Sequence, residues 1–266
     1  MALTVTILGS GSSGGVPRVG QGWGACDPAN PRNRRRRCSL LVEQTGTGGT
    51  TTVLIDTGPD LREQLLAAGV SRLDAVLYTH DHADHTHGID DIRPLVISMR
   101  RRIDAYADEL TRVTLSQRFG YCFASPPGSD YPPIINLHTF KAYEPVTVSG
   151  DGGPIAFMPF PVEHGHAYRA FGFRFNDFVY CPDISAISVR SEAVVSGAGT
   201  LILDALRYTR HPTHFTVDEA LALIERTQPA SAILTNLHSD LDYATLAAAL
   251  PDGVVPAFDG MVVEAI

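Results

Sequence analysis

Residues 78–88 read YTHDHADHTHG, directly overlapping the end of the apolar run AVLY at 75–78. Histidine is the commonest transition-metal ligand, and carboxylate is a good partner for it on zinc, manganese or iron. His80, His82 and Asp84 share parity, so an extended or loosely turned chain projects them towards one side. His85 turns elsewhere, where it can serve a second ion beside the first. Four candidate ligands within six residues, at the mouth of a strand, favour a metal centre over a polar loop with chance histidines.

One loop cannot close a two-metal site, so further donors are expected downstream. His164 lies in PVEHGH (161–166) after a strand-like run, Asp183 closes YCPD (180–183), and His238 lies in TNLHS (235–239). Each alone is more often a surface or capping residue. All three share the strand-end position that a site on loops above a rigid sheet requires.

The rest of the chain supplies such a sheet. Residues 3–8, 39–43, 51–56 and 75–79 alternate or are continuously apolar and are bounded by Gly, Pro or Asp, as strands are. The start, 1–8, lacks a basic leader and reads as a first strand rather than a secretory signal. Residues 60–68 have helical spacing with a Gly stop at Gly69, 108–119 form another helix, and 125–133 (SPPGSDYPP) a loop. The second half continues with strands at 155–162, 170–175, 178–181, 201–204 and 232–235, and helices at 188–196, 217–227 and 243–250. Strands in runs and helices in blocks, with no long linker, predict layered sheets covered by helices in one domain over 1–266.

Composition narrows the function. A formal charge of -8 argues against a broad nucleic-acid footprint and leaves room for a small phosphorylated molecule held by a few cations. The basic runs 34–37 and 100–102 read as solvated surface. No apolar stretch reaches 18 residues, which argues against a membrane span. Cys26, Cys38, Cys122 and Cys181 form no C-x-x-C pair, so neither a disulfide framework nor a Cys-based zinc ribbon is expected, and a reducing cytoplasm is the simplest compartment.

The pattern His-x-His-x-Asp-His with a later His, Asp and His resembles the metallo-β-lactamase superfamily of binuclear hydrolases. The similarity runs from TILGSGSSGGV (6–16) through TTVLIDTG (51–58) to FDGM (258–261). Within the superfamily the chain looks most like the phosphodiesterase branch of ribonuclease Z and the phosphoribosyl cyclic phosphodiesterases. NRRRRCSLLV (33–42), HFTVDEAL (214–221) and the closing FDGM favour the latter.

The resemblance implies a four-layered αβ/βα sandwich. It implies one ion on His80, His82 and His164 and another on Asp84, His85 and His238, with Asp183 bridging. A hydroxide between two divalent ions (zinc or manganese, with iron a third choice) would then be the nucleophile. Asp84 would orient that hydroxide, and His214 would match the family's extra histidine and protonate the leaving oxygen. Without the resemblance His214 reads equally well as a cap before the helix at 217–227. Asp56 is expected to orient a metal histidine, His87, His166 and Tyr208 to touch substrate, and His138 and His211 to be structural. The Gly-rich 9–15 segment lacks a P-loop's Lys-Ser/Thr and reads as a tight turn beside the site.

Two departures from the family pattern stand out. WGACDP (23–28) keeps only Cys26 where the resembling phosphoribosyl enzyme has a Cys-rich structural zinc site. The family's last metal histidine directly follows the strand's Thr, where this chain has Asn236, so His238 needs a shifted loop to reach the site. The expected function is hydrolysis of a small cyclic phosphodiester, such as a phosphoribosyl 1,2-cyclic phosphate or a 2′,3′-cyclic nucleotide. Transfer RNA is a poor fit because no long basic arm is visible, and a homodimer is what the resemblance implies. The alternatives are a thioester or lactone hydrolase of the glyoxalase II or lactonase kind, and a non-catalytic cofactor-biosynthesis relative.

Overall fold

The computed structural model describes residues 2–265. Two seven-stranded sheets face each other. The first is built from β1 (Ala2–Gly9), β2 (Ser39–Gly46), β3 (Gly49–Ile55), β4 (Ala75–Leu77), β5 (Ile103–Ala107), β6 (Ile135–Thr139) and the last strand, Met261–Glu264, in the order last-β1-β2-β3-β4-β5-β6. The second holds β7 (Val146–Val148), β8 (Ile155–Glu163), β9 (Arg169–Phe175), β10 (Phe178–Cys181), β11 (Thr200–Asp204), β12 (Ser231–Thr235) and β13 (Val254–Pro256), ordered β13-β12-β11-β10-β9-β8-β7. The final strand is β14. Each sheet is mixed: hairpins give the antiparallel half, and crossovers give the parallel sets β3–β6 and β10–β13.

The period of two along each strand explains the layering. Leu40, Val42, Val53, Ile55, Ala75 and Leu77 point inward and meet Phe157, Phe173, Phe175, Phe178, Ile202 and Ile233 of the other sheet. Their sequence neighbours point outward. Leu41, Leu54 and Val76 pack under the helices α1 (Leu61–Ala67), α3 (Arg93–Met99), α4 (Glu109–Arg118) and α5 (Gly120–Phe123), through Leu61, Leu65, Leu95, Leu115 and Cys122, while the short α2 (Ala83–Thr86) follows β4. Leu201, Leu203, Ala232 and Leu234 pack under α6 (Val189–Val195), α7 (Val217–Thr227) and α8 (Tyr243–Ala249). Parallel strands covered on both faces must be apolar on both, which is why 75–78 and 201–203 read as unbroken apolar runs. The four-layered sandwich is the fold.

Most elements lie where the sequence predicts them. The first strand is described from Ala2, and Met1 of the predicted 1–8 run lies outside the described residues. Residues 100–138, unassigned in part from the sequence, contain β5, α4, α5 and the start of β6, two further parallel strands of the first sheet. The run 34–37 is not a solvated surface patch. Arg35 is 2% exposed and donates to the carbonyls of His238 and Leu241 and to Asn33, while Arg36 pairs with Asp259 and Arg37 with Asp60. The Gly-rich turn lies against this run so closely that a Cβ on Gly9 would stand 1.9 Å from the Arg37 carbonyl. No helix among the described residues is long and apolar enough to cross a membrane, and the four cysteines are buried and unpaired.

Candidate metal centre

The donors gather where the C-terminal ends of parallel strands from both sheets meet. In the first sheet, β3 leads into Asp56 and β4 into Thr79 and His80, with Ile55 and Leu77 in register. In the second, β10 leads to Asp183, β11 ends on Asp204 and β12 leads to Asn236, with Asp204 and Thr235 in register. Loops leaving parallel strands at one edge are forced together, so residues far apart in sequence become neighbours.

His80 is fully buried. Its Nδ1 lies 3.0 Å from the Thr79 hydroxyl, which itself donates to Asp56 Oδ2 at 2.7 Å. The hydroxyl therefore accepts from the Nδ1–H, which leaves the Nε2 lone pair of His80 buried without a hydrogen-bond partner. His85 Nδ1 donates to the same Asp56 oxygen at 2.7 Å, which turns its Nε2 towards Asp183 Oδ1 at 3.2 Å and Asp84 Oδ2 at 3.5 Å. One carboxylate, Asp56, thus fixes the tautomers of two imidazoles. The parity argument holds for His80 and His82 only. After His82 the chain turns into α2, and Asp84 and His85 sit on its first turn.

His164 donates from Nδ1 to the Thr213 carbonyl at 2.7 Å and directs Nε2 to within 3.3 Å of His82 Nδ1 and 3.5 Å of Asp183 Oδ2. Tyr168, which sequence reasoning missed, stacks on the His82 ring with centroids 4.6 Å apart. The metal-capable groupings among the described residues are His80–His82–His164, His80–His85–Asp183 and His164–Asp183–His214.

Electrostatics agree with that geometry. Burial and the neighbouring His85 hold the His80 imidazole well below its ordinary value. Burial alone would raise Asp183, but His85, His214 and His80 hold it well below the carboxylate range. Burial would lower His85, yet Asp183, Asp84 and Asp56 raise it well above the usual imidazole value. Three carboxylates around one imidazole are a surplus of negative charge that a divalent cation neutralises. An orphaned, buried imidazole nitrogen amid mixed imidazole and carboxylate donors fits a divalent metal.

His214 does not cap the following helix. Thr216 does, in a capping box with Glu219. His214 Nδ1 instead donates to Asp204 Oδ2 at 2.8 Å and stands 3.8 Å from Asp183 Oδ2. Burial opposes its charge, but Asp204 first, then Asp183 and Asp84, raise it to about 9. Asp204 was missed in the sequence because it reads as the end of a buried strand. Its signal was an acid closing an otherwise apolar run.

His214 lines a cavity of about 460 Å³ with His166, Arg210 and His211. His211, expected to be structural, is therefore in the cavity wall. His166, expected to touch substrate, lines the same cavity. His87 is exposed with its ring edge-on to Phe119, and Tyr208 is 48% exposed on the loop after Leu206. His138 pairs with Asp104 across β5 and β6, a structural role. A larger cleft of about 650 Å³ between residues 34–37 and α1 holds none of the clustered donors.

His238 does not join the cluster. Its Nε2 meets Arg18 and its Nδ1 lies 3.2 Å from Asp240, and it belongs to none of the donor groupings among the described residues. The shifted loop that would bring it in does not occur. Asn236 turns at φ 61 immediately after β12 and takes the place beside Asp183, 2% exposed.

The model for the β-lactamase superfamily domain matches residues 51–236, which spans both halves of this donor set. The chain belongs to the β-lactamase superfamily. By family and fold this is a metallo-β-lactamase domain, and its clustered imidazole and carboxylate donors are compatible with a divalent metal. A solved structure described as a new diphosphatase from the PhnP family is 37% identical, with a TM-score of 0.88 over 99% of this chain and 97% of that one. An octanoyltransferase of Porphyromonas gingivalis is 31% identical over 96% of this chain, which spans only 50% of that protein's length. A ribonuclease Z of Mycobacterium sp. (strain KMS) is 26% identical over 88% of this chain and 84% of its own.

Proposed function

We propose that this protein hydrolyses a small phosphodiester, a cyclic one first of all, at a pair of divalent ions (zinc, manganese or iron). The observation that carries the reading is the position of His214, held through Nδ1 by Asp204 beside Asp183 at the rim of a cavity that also presents Arg210, His166 and His211. His80, His82, His164 and Asp183 would hold one ion, and Asp84, His85 and Asp183 the other. Bound there, the ions supply Lewis acidity, which lowers the pKa of water and offsets negative charge on phosphoryl oxygens. The chain's own residues do the rest. Arg210 and the cavity histidines attract and orient the anion, and His214 delivers a proton from Nε2 to the departing alkoxide while Asp204 stabilises the ring.

Expulsion of an alkoxide needs that proton and a thioester's thiolate does not, which ranks the phosphodiester above a thioester, and Arg210 with the cavity histidines suits an anionic diester better than a neutral lactone. A substrate with a phosphoanhydride (P–O–P) linkage is a second reading, supported by the diphosphatase at 37% identity. The acidic balance of the chain, -8, supports a small substrate over tRNA. Four free, buried cysteines suit a reducing compartment such as the cytoplasm.

The test is turnover of metal-reconstituted protein on bis(p-nitrophenyl) phosphate, 2′,3′-cyclic nucleotides, a dinucleoside diphosphate, a lactone and a thioester. Chelator-sensitive cleavage of the phosphorus substrates supports the proposal, and the cyclic and diphosphate arms separate its two readings. Turnover of the acyl substrates alone overturns it.

A further inference from the structure

The donors do not divide evenly between two ions. Asp183 presents Oδ2 to His80 and His164, at 3.9 and 3.5 Å, and Oδ1 to His85, at 3.2 Å. On the Oδ2 side, His80, His82 and His164 would make four protein donors with Asp183, a set rich in imidazole. On the Oδ1 side the donors are Asp183, His85 and Asp84.

The remaining side chain against Asp183 Oδ1 is Asn236. Its amide nitrogen donates to the Pro182 carbonyl at 2.9 Å and lies 3.4 Å from Asp183 Oδ1. Turning the amide over would set its oxygen against that carbonyl, so the group facing the cluster is an NH2 with no lone pair to give. Two other side chains nearby are committed elsewhere: His238 to Arg18 and Asp240, and His214 Nδ1 to Asp204 at 2.8 Å.

We infer that the two metal positions are unequal, with a tight one at His80, His82, His164 and Asp183 and an exchangeable one at Asp84, His85 and Asp183, left one protein ligand short by Asn236. This rests on the metal-dependent reading above. The tight position, with three imidazoles, suits zinc, and the short one, with two carboxylates and an open place for water or a phosphate oxygen, accepts a harder ion such as manganese.

Equilibrium dialysis of the metal-free protein against Mn2+ and against Zn2+, with bound metal counted by elemental analysis, tests this without any turnover. The expected result is two equivalents, the second bound at least 100-fold more weakly than the first. Asn236→His should tighten the second equivalent at least tenfold and leave the first unchanged, and Asp84→Asn should remove the second alone. Circular dichroism of each variant verifies folding, and if Asn236→His does not fold, the wild-type and Asp84→Asn isotherms still decide. Two equivalents of equal affinity overturn the inference and leave the hydrolase reading standing. Failure to bind any metal removes both.

Discussion

The imidazole of His85 is held by Asp56, with Nδ1 to Oδ2 at 2.7 Å, and the same oxygen receives the hydroxyl of the Thr79 that fixes His80. Two donors of the cluster therefore depend on one buried carboxylate. Asp56 occupies a left-handed backbone position, φ 66, which Asn tolerates, so Asp56→Asn tests the side chain with little backbone strain. We expect metal affinity to fall by about 10–100-fold, as measured by competition with a chromophoric chelator. Unchanged affinity would mean that the imidazoles need no such anchor.

His214→Ala should retain its metal content and lose turnover in proportion to the basicity of the leaving group. For an alkoxide leaving group, as in a 2′,3′-cyclic nucleotide, the expected loss is about 10²–10⁴-fold. For p-nitrophenolate, which departs without a proton, the loss should be much smaller. An equal loss on both substrates would point to ground-state binding rather than proton donation.

Arg35 links the 23–38 segment to the loop after β12, donating to the carbonyls of His238 and Leu241 and lying 3.7 Å from the Cys26 sulfur. Arg35→Met preserves most of the volume but leaves two buried acceptors without their donor. We expect a loss of roughly 2–4 kcal/mol, given about 1–3 kcal/mol for each buried polar group left unsatisfied. Urea denaturation of the metal-free protein measures it, and a change below 1 kcal/mol, on the order of a surface substitution, would contradict the assignment.

Asp242 caps α8, accepting from Thr245 N and Oγ1 and, on its other oxygen, from Asn33 Nδ2 and Asp27 N. Burial would raise this carboxyl, but those donors, with the Thr245 amide first, lower it to about 2. Its folded value lies below the unfolded one of about 3.9, so its contribution is complete above that pH and is lost as the pH falls towards 2. Asp242→Asn should cost about 1 kcal/mol at pH 6, the usual worth of a cap. The gap from wild type should narrow in urea titrations taken from pH 5 to pH 3. A gap independent of pH would assign the effect to shape rather than charge.

Local order along the chain was enough to determine the layers and the first four donors. Alternation such as Leu40–Leu41–Val42 sends neighbours to opposite faces of a strand, so it encodes an inner core and an outer one without reference to anything distant. The cluster at 80–85 is equally local, because its ligands lie within one strand end and one helical turn. The positions of Asp183 and His164 at strand ends could also be read, though not their convergence.

Tertiary structure decided what depended on register and on which loops share an edge. Asp204 becomes the partner of His214 only because β11 ends level with β12 and beside β10. Asn236 rather than His238 faces Asp183 because the backbone turns at once after β12, and two residues further the ring is already captured by Arg18, 220 positions away in sequence. A strand's periodicity fixes which face a residue takes, but the turn that follows is fixed by contacts with segments the strand does not contain. For this protein, that turn determines whether the donor set holds six side chains or seven.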